Sequence, residues 1–101
     1  MFSEKQRDLM KRNINDWKRI LQMPEGRRIV YKLLCASGFR SHGFVPNDPH
    51  ATAFHCGQRS IALYMLEEIR QANFAALEQM EQEHVAEIKQ INKETENVED
   101  L

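Results

Sequence analysis

The chain is 101 residues long, 42% hydrophobic and 29% charged, which fits one globular domain with a modest core and excludes a disordered chain. No apolar run approaches the roughly 18 residues that cross a bilayer, and the start, Met1-Phe2-Ser3-Glu4-Lys5, lacks the apolar core of a secretory leader. The net charge of −1 conceals a polarity: residues 1–40 carry ten Lys or Arg against four Asp or Glu, a balance of +6, and residues 41–101 carry four against eleven, a balance of −7. Such a chain is suited to contact between copies or to docking on a charged partner, and ordinary solvated helix faces account for it equally well.

Ser3-Glu4-Lys5-Gln6 has the form of a capping box, Ser3 at the N-cap and Gln6 at the third helical position. Met10, Ile14, Trp17 and Leu21 follow at helical spacing with Ile20 beside them, which predicts a first helix over residues 4–22, apolar on one side and basic on the other. Pro24 suits the first position of a second helix, whose apolar face is Ile29, Val30, Leu33 and Leu34. Gly38 stands where a left-handed residue ends that helix near Ser37, and Phe39 follows where it can fold back onto Leu34. Residues 39–48 form a loop broken by Gly43 and Pro46, and Asp48-Pro49 is a strong helix start.

From Pro49 onward there is no further proline and one glycine, Gly57. A continuous helix of about 45 residues would reach near 70 Å, far beyond a compact domain of this size, whose radius of gyration is about 13 Å. Leu66, Leu77 and Ile88 recur every 11 residues, as do Ile69, Met80 and Ile91, a period that suits a nearly straight helix. The fold class expected is all-α: two short N-terminal helices packed on the start of a long C-terminal helix that extends into a partner or self-associates. In that scheme residues 1–72 form a three-helix domain, with Phe54, Gly57, Ile61 and Leu66 meeting the first two helices, and residues 73–101 form a helical extension with an acidic, frayed tail. Gly57 inside the helix suggests close approach of a neighbouring helix. The partner-binding residues expected on the extension are Leu77, Met80, His84, Ile88 and Ile91. A helix broken near Gln71-Ala72-Asn73 and packed back on itself is the alternative.

No catalytic, cofactor or metal site is expected. His55 and Cys56 are adjacent on a helix, so their side chains diverge by about 100°, and His50 lies five residues from His55. Neither C-x2-C nor H-E-x-x-H spacing occurs. No glycine loop could cradle a phosphate or form an oxyanion hole beside Cys35 or Cys56, and two irregularly spaced cysteines fit a reducing compartment. Arg27, Arg28, Arg40 and Arg59 are candidate contacts for an anion or a partner carboxylate. Otherwise Arg40 and Arg59 pin the loop by bonding its carbonyls and Asp48.

Phe39-Arg40-Ser41, then Asp48-Pro49-His50-Ala51-Thr52-Ala53-Phe54, then Gly57-Gln58-Arg59-Ser60 resemble the small Bordetella-phage-type family of tailed-bacteriophage proteins, a phage domain of unknown function. The motif residues are Phe39, Asp48, Pro49, Ala53, Phe54, Gly57 and Arg59, and the chain departs from the family's Gly-Arg-Arg-Asn-like segment at Gln58 and Ser60. The resemblance implies a phage-encoded, virion-associated protein, in the host cytoplasm before assembly. Together with the long helix it points to a structural or assembly role near the portal, the head–tail joint or the internal ejection apparatus. Its expected partners are other phage structural proteins or further copies of itself. A nucleic-acid-binding or host-directed regulatory protein using the basic N-terminal helices is the alternative.

Overall fold

The computed structural model describes residues 1–99, and among them regular structure is entirely helical: α1 (Glu4–Gln22), α2 (Pro24–Ala36), α3 (Pro49–Ala72) and α4 (Ala76–Glu99). The local signals do what their chemistry requires. Ser3 accepts from the Gln6 backbone N–H while the Gln6 side chain accepts from that of Ser3, the full capping box. At the end of α2, Gly38 adopts φ +68°, its N–H bonds to the Cys35 carbonyl, and the Phe39 N–H reaches back to Leu34, which together make a Schellman cap. Phe39 is thereby delivered into the core. Asp48 caps α3 by accepting from the Ala51 N–H at 2.9 Å, with Pro49 in the first turn. The loop between is tied to α3 through Thr52, whose hydroxyl accepts from the Val45 N–H and donates to the Val45 carbonyl.

The core is one cluster drawn from all four helices: Leu21 of α1, Val30 and Leu34 of α2, Phe39, then Ala62, Leu66, Ile69 and Ala72 of α3, and Ala76 and Met80 of α4. Ile14, Trp17, Tyr31, Met65 and Leu77 pack around it. Helices α2 and α3 each touch the other three. At the α1–α2 turn a Cβ on Gly26 would lie 2.1 Å from the Ile20 carbonyl oxygen, so only glycine admits this approach. The molecule is a slab of 65 × 42 × 16 Å with a radius of gyration of 17.9 Å, well above the roughly 13 Å of a compact chain of this length.

The single long helix is corrected: it breaks between Ala72 and Ala76. Asn73 becomes extended, at φ −156°, and its N–H still bonds to the Ile69 carbonyl while its side-chain oxygen accepts from the Ala75 N–H. An Asx turn of this kind redirects a chain without glycine or proline. The break turns Ala76 and Met80 into the same core as Leu34 and Ile69, so the first turns of α4 belong with the preceding helices and not to an extension starting at residue 73. Leu77 and Met80, expected at a partner interface, are instead packed within this chain. Phe54 and Ile61, expected to be buried against α1 and α2, are largely exposed instead. A Cβ on Gly57 would have nothing within 4 Å, so the close approach expected there occurs at Gly26 instead. The acidic tail expected to fray is helical through Glu99, and the final two residues lie outside those described.

Candidate functional site

The polarity of charge is partly used inside the molecule. Arg27 donates from Nε to both Glu83 carboxylate oxygens, at 2.7 and 3.2 Å, and from a terminal nitrogen to the Leu21 carbonyl at 2.9 Å. One guanidinium thus joins the C-terminal end of α1, where a cation is favoured, to α2 and α4. Arg40 pairs with Glu81 and lies 5.0 Å over the Phe39 ring. Glu68 of α3 accepts from Asn13 Nδ2 at 2.7 Å and Trp17 Nε1 at 3.2 Å, both on α1. The arginines expected to pin the loop do otherwise: Arg40 reaches α4, and the buried Nε of Arg59 has no hydrogen-bond partner among the described residues. Arg28 is exposed and takes part in no ion pair among them.

Between α2 and α4 lies a groove of about 670 Å³. Its α2 wall carries Arg28, Tyr31, Lys32 and Cys35, and its α4 wall carries Met80, Glu83, His84 and Glu87. The Tyr31 ring lies 5.0 Å from that of His84, tilted by 44°, and meets Phe39 edge-on at 6.2 Å. Burial, and next the adjacent Cys35, push the Tyr31 hydroxyl above the usual tyrosine range, so it stays neutral further into alkali. No group of three His, Cys, Asp or Glu among the described residues is placed to hold a metal ion, and no described helix is long and apolar enough to cross a membrane.

Two exposed faces stand outside these ties. On α3, Phe54, Gly57, Ile61 and Tyr64 fall at i, i+3, i+7 and i+10, which places them on one side of the helix. Phe54 is 64%, Ile61 61% and Tyr64 65% exposed. On α4 every residue from His84 to Asn97 is exposed, including His84, Ile88 and Ile91 of the expected partner-binding set. The motif residues therefore divide by duty. Phe39, Asp48 and Pro49 build the cap, the core and the start of α3, Ala53, Phe54 and Gly57 face outward, and Arg59 is half-buried. The sequence singles out Phe54, Gly57 and Ile61 but assigns them to the inner side of α3, because apolar positions at helical spacing read as the side a helix buries.

The model of the Bbp19-like phage protein family matches residues 17–81, and the chain belongs to that family. No curated protein and no solved structure gives a match. The matched stretch contains all ten buried residues of the core and the whole exposed face of α3, and it ends one residue after Met80, where α4 leaves the core.

Proposed function

We propose that this Bbp19-like phage protein is a non-enzymatic structural or assembly component of the phage particle, at the portal, the head–tail joint or the internal ejection apparatus, acting through docked helices. The observation that carries the reading is the α3 face. Three large apolar side chains more than 60% exposed flank a helical glycine that has no neighbour within the chain. An interior helix glycine costs roughly 0.5–1 kcal/mol relative to alanine, and nothing among the described residues comes within 4 Å of where its Cβ would stand. A partner backbone crossing at Gly57, between Phe54 and Ile61, gives that glycine a purpose. The competing reading, a nucleic-acid-binding or host-directed regulatory protein, draws on the ten cations of residues 1–40, of which Arg27 and Arg40 are engaged with carboxylates.

The test is quantitative mass spectrometry of purified virions from a phage encoding this chain. A fixed copy number per particle is expected, retained after nuclease treatment and high-salt washing. Absence from washed virions overturns the reading. A salt-sensitive DNA complex with no virion association would favour the alternative.

A further inference from the structure

The face that α4 turns to the core does not stop where the core does. Ala76, Leu77 and Met80 are packed, and at 100° per residue the same side continues outward as His84, Glu87, Ile88, Ile91, Glu94 and Thr95. Lys89 and Lys93 fall on the opposite side. The projecting strip thus presents two isoleucines, 43% and 53% exposed, between two carboxylates. It begins at Glu87, which also lines the α2–α4 groove, and across that groove stand Arg28 and Lys32. Neither cation is ion-paired among the described residues.

From this charge complementarity we infer that the α4 strip binds a second copy of this chain, as an antiparallel α4–α4 pair centred between Ile88 and Ile91. In that register Ile88 of each copy opposes Ile91 of the other. Glu94 opposes Val85, within one turn of the groove-lining His84 and Glu87, and so comes to the Arg28 and Lys32 wall of the other copy. Glu87 opposes Asn92, so no two carboxylates of the strip stand directly opposite, and where Glu94 nears the other copy's Glu87 the Arg28 and Lys32 wall offsets the repulsion. The arrangement is isologous, the commonest way two identical chains associate. The inference rests on the assembly reading but uses a different face, leaving the α3 stripe outward on both copies; virion association and dimerisation can therefore fail separately.

Sedimentation velocity of the full chain at about 10–200 μM is the test, with circular dichroism confirming helicity for each variant. The wild type is expected to sediment as a dimer, and Ile88→Glu with Ile91→Glu to weaken association more than about tenfold. Arg28→Glu and Glu94→Lys should each weaken it several-fold, and the two combined in one chain should recover it, as should an equimolar mixture of the two single variants. The charge pairs should also make the dimer weaker at high salt. A wild type that stays monomeric throughout overturns the inference. So does association of any order that survives the isoleucine substitutions, or charge reversals that fail to rescue one another.

Discussion

An alanine Cβ at position 26 would meet the Ile20 carbonyl oxygen at 2.1 Å, a backbone atom that cannot move aside without parting α1 from α2. Gly26→Ala is therefore expected to destabilise by about 1–3 kcal/mol, and since each kcal/mol moves Tm by roughly 4–8 °C in a domain of this size, thermal unfolding will show it plainly. Gly57→Ala should go the other way. Its Cβ enters open space and the helix gains roughly 0.5–1 kcal/mol, so Tm rises. If the α3 face docks a partner, the same substitution should lower the amount of protein carried into virions, a loss of function alongside a gain of stability. Arg27 is a third decisive position. Lysine keeps the charge but lacks the planar fork with which the guanidinium spans Glu83 and the Leu21 carbonyl. Arg27→Lys is expected to cost about 1–2 kcal/mol in denaturant unfolding, the scale of a lost charge-assisted hydrogen bond.

Helix ends were legible wherever a side chain or a glycine caps them locally. Ser3 with Gln6, Gly38 with Phe39, and Asp48 with Pro49 each satisfy backbone groups within a few residues, so their spacing alone carries the information. The break before α4 was not legible in the same way. Asn73 would also be tolerated in a helix interior; what selects the turn is the burial of Ala76 and Met80 against Leu34 and Ile69, a contact between distant parts of the chain. The 11-residue track misled for the same reason, since one set of positions, Met80 and Ile91, is core at one end and exposed at the other. The helices therefore separate by substitution. Met80→Ala, at a site 2% exposed, should cost about 2–5 kcal/mol, whereas Ile91→Ala, half exposed, should stay within roughly 0.5 kcal/mol for the monomer. Chemical denaturation at low protein concentration, where association does not contribute, distinguishes them.

At the scale of the molecule, truncation tests which part of α4 holds the fold. A chain ending at Ala72 loses Ala76, Leu77 and Met80 from the core and both carboxylates that bind Arg27 and Arg40. Burial of a side chain such as Met80 is worth about 1.5–3 kcal/mol by itself, and the whole stability of a small domain is only about 5–15 kcal/mol. Such a chain is expected to unfold without a cooperative transition, although its three helices keep their own caps. A chain ending at Glu87 retains every buried residue and both ion pairs, so its monomer should melt within a few degrees of the full-length protein. What it loses is the strip from Ile88 to Thr95, and with it the second copy. Calorimetry of the two truncations sets the boundary between fold and extension near Glu87. Comparable melting of both would put it back at the Asn73 turn, with the first turns of α4 merely resting on a core that does not need them.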